Sequence, residues 1–413
     1  MTTPHLTRSH PMRLRRTPAL AVAAAALLLP LALVPRADAA PTAKGTSHRN
    51  VSVCATAGPG RAGCLAIRRD AIDTAGQVVH QSRTAAAAAA PSGLAPADIQ
   101  SAYKLPAATT ATPAGPTVAI VDAYDDPKAE ADLAVYRKQY GLPACTTANG
   151  CFRKVNQNGG TTPPKANGGW AQEISLDLDM ASAACPSCKI LLVEASSASF
   201  ANLGTAVNRA ATLGAKAISN SYGGSDSSAS SAYDHPGIAV VASTGDAGYG
   251  VESPASYQTV VAVGGTSLKK SSTTRGWTET AWSGAGSGCS TINTKPSWQT
   301  SVTACSRKAN ADVSAVADPN TGVAVYDSYA YQGVSGWLVF GGTSASAPII
   351  GSVYALSGRT SGYPASYTWS HASALNDVTS GSNGSCSTTI WCTARSGWDG
   401  PTGLGTPNGL TAF

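Results

Sequence analysis

Histidine is scarce in the part of this sequence that carries the fold. Beyond residue 91 only His235 and His371 remain. A Ser-His-Asp hydrolase needs one such ring beside its serine. His235 sits in Tyr-Asp-His-Pro-Gly ahead of a strand, and His371 in Trp-Ser-His-Ala-Ser. Both read as surface or capping residues, which disfavours a histidine base; a Ser-His-Asp type hydrolase using His235 is kept as the alternative. Long apolar runs are equally scarce. The one candidate, from about Ala19 to Val34, is interrupted by Pro30 and is too short for a comfortable membrane span. It follows Arg13, Arg15 and Arg16 and precedes Ala-Asp-Ala-Ala (Ala37 to Ala40), which together mark residues 1–40 as a secretory signal peptide. Arg15–Arg16 also admits a twin-arginine reading. The mature chain is therefore expected to be secreted, extracellular and free of the membrane.

A net positive charge is missing from the mature chain as well. Of the formal +6, residues 1–40 contribute +4 and residues 41–91 another +4, so residues 92–413 sit near −2. That removes any case for a nucleic-acid partner from net charge. A zinc site also lacks its parts: the CxxC at Cys185 and Cys188 has no second CxxC and no nearby histidine. The ten cysteines fall instead into five neighbouring couples, Cys54 and Cys64, Cys145 and Cys151, Cys185 and Cys188, Cys289 and Cys305, Cys386 and Cys392. In an exported chain these read as local disulfides that pin surface turns. Residues 41–91 are polar and basic and look like a short propeptide or leader, too small for a core of its own. A plain linker is the other reading.

What is present is organised around residues 336–356, GWLVFGGTSASAPIIGSVYAL. An apolar strand-like run, Trp337 to Phe340, meets Gly341–Gly342, and helical apolar spacing begins at once after Thr343 and Ser344. Such a turn lifts a serine hydroxyl out of a sheet and sets it against the positive end of a helix. Pro348 is expected in the first helical turn, where a missing N–H costs little. Taken alone, Ser344 reads rather as a capping serine in a Gly-rich turn.

From residue 92 the pattern alternates. Strands are expected at Thr117 to Val121, Lys189 to Glu194, Lys216 to Asn220, Ile238 to Ser243 and Val260 to Val263. Helices are expected at Ala95 to Tyr103, from Asp125-Asp126-Pro127 to about Tyr140, at Trp170 to Ala184 and at Phe200 to Leu213. Short, nearly all-apolar strands between helices argue an α/β fold with a mostly parallel sheet covered on both faces. Sites in such sheets lie at the carboxyl ends of the strands. Asp122, Asp246 and the Ser344 turn all fall there.

A serine nucleophile without histidine needs another base. On the helix WAQEISLDLDM, Glu173 and Asp177 are four residues apart and share one face, with Asp179 adding charge. Buried together, such carboxyls share a proton and one pKa rises, which suits a general base; solvated, they are only an acidic face. Asp246, in STGDAG, can donate a hydrogen bond to an oxyanion when protonated.

These elements resemble the sedolisins, serine-carboxyl peptidases with a subtilisin-like fold. The matching motifs are E-x-x-x-D at Glu173 and Asp177, S-x-G-D-x-G around Asp246, and GGTSASAP around Ser344. Asp312-Val-Ser-Ala-Val-Ala-Asp318-Pro319 and SPASYQTVVAVGGT, from Ser253, add to the match, which spans nearly all of 92–413. The resemblance implies a three-layer α/β/α domain and a secreted, monomeric endopeptidase that cleaves protein or peptide substrates at acidic pH. By it, Ser344 is the nucleophile, Glu173 its base, Asp177 the partner of Glu173 and Asp246 the oxyanion donor. It also implies one structural Ca²⁺, held by the Asp377 and Asp399 carboxylates and the carbonyls of Val378, Arg395 and Gly397. Three departures stand out. Arg395 replaces a family glycine, so its carbonyl can serve only if φ there is negative. The leader is far shorter than the family's prosegment. Asp122 is placed to support Glu173 alongside or instead of Asp177. A non-catalytic exported binding module remains the other alternative.

Overall fold

Short runs of small and β-branched residues build the central sheet. In this computed structural model, which describes residues 47–79, 91–107, 111–359 and 361–413, seven strands lie in one path. Their order is Trp277–Ala281, Val261–Lys270, Ala239–Ser243, Ala217–Asn220, Thr117–Ala123, Lys189–Ala195 and Phe152–Asn156. An eighth, Val313–Val316, pairs with Val261–Lys270. All neighbours are parallel except Trp277–Ala281, which runs antiparallel to Val261–Lys270. A parallel sheet must be covered on both faces, and the strand residues are accordingly buried from Val118 to Ala123 and from Ile190 to Ala195.

Helix Gly168–Ala184 packs against helix Thr343–Ser357 and strand Thr117–Ala123. Helix Phe200–Thr212 packs against Lys189–Ala195 and Thr117–Ala123 instead. The expected mostly parallel α/β architecture is therefore present, with helices at Pro96–Tyr103 and Ala129–Gln139 as well. All five local cysteine couples are bonded as expected. The signal-peptide reading and the alanine run from Ala85 to Ala90 lie outside the described residues. No helix among the described residues is long and apolar enough to cross a membrane.

Two features depart from the sequence reading. Phe152–Asn156 is an edge strand in a stretch for which no element was expected. An edge strand needs only a thin inward stripe, and here Phe152 and Val155 suffice. The strand leading to Ser344, Val334–Gly341, belongs to a separate antiparallel sheet of order Ser47–Ser52, Ile67–Ile72, Val334–Gly341, Val323–Tyr331. Residues 47–72 thus take their core from the main unit by adding strands to it.

Candidate active site

The glycine pair after Phe340 makes the decisive turn. Gly342 adopts φ 95° and ψ 160°, a region open essentially to glycine alone. A Cβ there would also stand 1.9 Å from the Leu65 carbonyl oxygen and 2.6 Å from Asp246 Oδ2. The helix starts at Thr343, so Ser344 lies in its first turn, fully buried. The Ser344 hydroxyl donates to the Ser221 carbonyl at 3.3 Å. Pro348 is not in the first turn as expected but sixth in the helix. Without an N–H it leaves the carbonyl four residues back, that of Ser344, free of its helical bond, and Ser221 Oγ lies 3.5 Å from that oxygen.

The Glu173 helix is capped by the Asn167 side chain, which accepts from the Trp170 N–H. It is wedged between sheet, Ser344 helix and strand Val323–Tyr331, so every residue from Gly169 to Ala184 is buried. The acidic face is therefore not solvated. Both Glu173 oxygens are sealed from solvent without a hydrogen-bond partner, and so are both of Asp122. Burial pushes the Glu173 carboxyl well up, the Asp122 charge pushes it further, and the facing Ser344 hydroxyl pulls it partly back. Asp177 is raised by burial, then by Asp122 and Glu173, against a 2.7 Å bond from the Ser221 hydroxyl. Burial alone raises Asp122. The three carboxyls thus form one cluster in which Asp177 is anchored to Ser221 and Asp122 is the strongest charged neighbour of Glu173. Asp179 points elsewhere and accepts from the Tyr326 N–H at 2.9 Å.

Asp246 completes the group from the end of strand Ala239–Ser243. Its Oδ1 accepts from the Thr343 N–H at 2.7 Å and the Thr343 hydroxyl at 2.8 Å. Its Oδ2 is shielded and unpartnered. Burial drives this carboxyl up to about 8 although the Thr343 bonds oppose it. At lower pH the proton sits naturally on Oδ2, because Oδ1 already accepts twice. Asp246 Oδ2 and the Leu65 carbonyl oxygen converge on the same point above Gly342.

Sequence reasoning missed Ser221, whose main chain and hydroxyl both serve the cluster, because a serine in SNSYGG carries no pattern of its own. It also missed Glu252, which presses between Gly223 and Gly245 and is pushed up to about 7 by burial. Neither histidine reaches the site. His235 bonds the Ala232 carbonyl at 3.0 Å, ahead of strand Ala239–Ser243 and so at the opposite end of that strand from Asp246. His371 is held by Ser370 and the Tyr367 carbonyl.

Near the C-terminus, Asp377 Oδ2 accepts from Gly397 N–H at 2.9 Å and Asp399 Oδ2 from Arg395 N–H at 3.1 Å. Both carboxyls thus face the 395–399 loop, and Asp377 helps raise Asp399. Arg395 is not among the residues with positive φ, which meets the condition its substitution sets. Among the described residues no group of three or more His, Cys, Asp or Glu is placed to hold a metal ion, so an ion here would depend on carbonyls as well. The donor set fits a hard cation.

A mostly parallel α/β sheet with a serine at a helix N-terminus, facing buried carboxyls, defines a subtilisin-like site. The subtilase family pattern matches residues 160–398. Kumamolisin of Bacillus sp. (strain MN-32) is 31% identical over 367 residues, covering 78% of this chain and 63% of its own. Sedolisin of Pseudomonas sp. (strain 101) is 34% identical over 176 residues, 38% of this chain and 29% of its own. The structure of Pseudomonas sedolisin, a serine-carboxyl proteinase complexed with two molecules of pseudo-iodotyrostatin, superimposes with a TM-score of 0.61 at 25% identity. It covers 78% of this chain and 96% of that one. The chain belongs to the subtilase family, within its sedolisin branch. It spans less than two thirds of the length of these two curated relatives.

Proposed function

We propose that this protein is an exported serine-carboxyl endopeptidase that hydrolyses peptide bonds of proteins or peptides on the acidic side of neutrality. The observation that carries the reading is the Glu173 carboxyl facing the Ser344 hydroxyl at a site that neither His235 nor His371 reaches. Ser344 attacks the peptide carbonyl while Glu173 takes its proton and later returns it to the leaving amine. Burial and the Asp122 charge raise the basicity of Glu173, and Asp177, on the same helix face, is held by Ser221. Protonated Asp246 donates from Oδ2 to the oxyanion, a stabilisation made in a dry site where it is strong. That donor is lost as pH rises through about 8, so activity is confined below that value. The deciding measurement is a pH profile of proteolysis for the wild type and Glu173→Ala. A strictly alkaline profile, or full activity in the variant, refutes the reading.

The asymmetry of Asp246 gives a sharper expectation. Asparagine is isosteric with the protonated acid: its oxygen can accept from Thr343 and its NH₂ can donate where Oδ2 does. Asp246→Asn should keep measurable activity and move the alkaline limb upward, whereas Asp246→Ala should lose about 10²–10³-fold in kcat. Equal losses in both would show that Asp246 is not the donor.

We further propose that the Asp377 and Asp399 carboxylates, with the carbonyls of Val378, Arg395 and Gly397, hold one Ca²⁺ that rigidifies the C-terminal segment. Chelation should lower Tm by about 5 °C or more, restored by added Ca²⁺. An unchanged Tm on chelation, with no calorimetric heat on adding Ca²⁺, refutes the site.

A further inference from the structure

Two missing side chains make room for one carboxyl beside Asp246. A Cβ on Gly223 would stand 1.9 Å from Glu252 Oε2, and one on Gly245 would stand 3.0 Å from Glu252 Oε1. Gly245 also has φ 117°, a conformation that glycine alone takes readily. Strand Glu252–Ser253 pairs antiparallel with Tyr222–Ser225, which sets the Glu252 side chain between these two glycines. Gly245 is tied in turn to the residues that carry Ser344. Its N–H donates to the Thr343 hydroxyl at 3.2 Å, and its carbonyl accepts from the Gly286 N–H at 2.8 Å. The Thr343 hydroxyl donates onward to Asp246 Oδ1. Glu252 thus packs on the residue next to Asp246, in a segment clamped from both sides.

Among the described residues no cation and no hydrogen-bond donor meets the half-buried Glu252 carboxyl. Such a group is costly to keep, and beside a candidate active site it points to a role. The titratable groups that act with Asp246 are few. Glu252 faces it from strand Glu252–Ser253, and Glu173 shares its field from helix Gly168–Ala184. Helix Thr343–Ser357 contributes only the neutral bonds from Thr343, and no described lysine, arginine or histidine counters the two acids. Burial brings Glu252 to about 7; burial, with the Glu252 charge adding to it, brings Asp246 to about 8. As pH rises Glu252 therefore ionises first, and a like charge nearby then opposes loss of the second proton.

We propose that Glu252 is a positioning residue for Asp246: once ionised, its carboxylate keeps the proton on Asp246 Oδ2, where the oxyanion needs a donor. It widens the working range of that donor toward neutral pH. The proposal rests on the catalytic reading above for what the proton does, whereas its first test does not.

That test titrates Asp246 directly in the full chain with Ser344→Ala, by ¹³C NMR of aspartate labelled at Cγ. The signal that vanishes in Asp246→Asn assigns the resonance. Glu252→Gln keeps the size of the side chain and removes its charge. It should lower the Asp246 midpoint by about half a pH unit or more. An unchanged or raised midpoint overturns the proposal, whatever the catalytic outcome. Should this variant fold poorly, Glu252→Met removes the charge at similar length and carries the same expectation. In the active chain Glu252→Gln should move the alkaline limb of kcat/KM downward by the same amount. With Asp246→Asn already present, the limb should stay where it is when Glu252→Gln is added. An equal move in both backgrounds, or a change confined to KM, overturns the proposal, since Glu252 would then act elsewhere or touch substrate itself. Failure of the catalytic reading would leave the NMR midpoint as the deciding result.

Discussion

Glu173→Gln should lower kcat by about 10³–10⁴-fold with little change in KM, the size of effect expected when a general base is lost from a serine hydrolase. Glutamine fills the same volume, so the packing around Trp170 and Ile174 survives. What disappears is the carboxylate that faces the Ser344 hydroxyl. The same change should not weaken the fold. At pH 7 it replaces a sealed carboxyl, whose charged form burial and Asp122 disfavour, with a neutral amide. A chain that is inactive yet equally or more heat-stable is the signature of a base. If Glu173→Gln unfolds the protein, or leaves turnover intact, that role is wrong. Ser344→Ala should match the loss, and the double variant should be no worse than either single one, since the two groups act as a unit.

The second large effect concerns stability. Asp246, Glu194 and Asp327 are each pushed up to about 8, chiefly by burial, and Asp126 to about 7. Glu173, Asp177, Asp122 and Asp179 are raised as well. In an unfolded chain these acids titrate near 4. Between about pH 4 and pH 8 the folded protein therefore holds protons that the unfolded chain has released. Stability is greatest below about pH 4 and falls as pH rises, until the folded carboxyls have themselves ionised. One retained proton costs about 1.4 kcal/mol per pH unit. Even a single net proton over three units then lowers Tm by about 6 °C in a domain of this size. Calorimetric scans from pH 4 to pH 7 decide the matter. A Tm that rises toward neutrality would mean the buried acids ionise normally, and the acid-adapted site would lose its physical basis.

The sequence was most informative where one local pattern sufficed. Strands such as Thr117–Ala123 and Lys189–Ala195 announce themselves as uninterrupted apolar runs because both of their faces are covered. The GGTSASAP turn was legible because Gly342 must adopt a backbone conformation closed to other residues. Glu173 and Asp177 were legible as a shared helix face, but whether that face met water or protein depends on strand Val323–Tyr331, 150 residues away. Ser221 and Glu252 stayed hidden because their roles exist only in three dimensions. Pro348 misled because the helix begins closer to Gly342 than the proline's usual first-turn position suggests. The pairing of residues 63–68 was invisible for a related reason. Their pattern is weak on its own and becomes a strand only when two walls of the main unit supply the partners.

The disulfide map carries one more consequence. The five bridges span sequence separations of 10, 6, 3, 16 and 6 residues, and none joins a residue before 79 to one after 91. Viewed as a covalent graph, residues 47–79 hang from the remainder by the main chain alone. Hydrolysis of one backbone bond between those positions would turn an intramolecular neighbour into a separate molecule. From then on it would leave by simple dissociation and be diluted into the medium. Reduction of the disulfides would add nothing to that release, and oxidation could not reverse it.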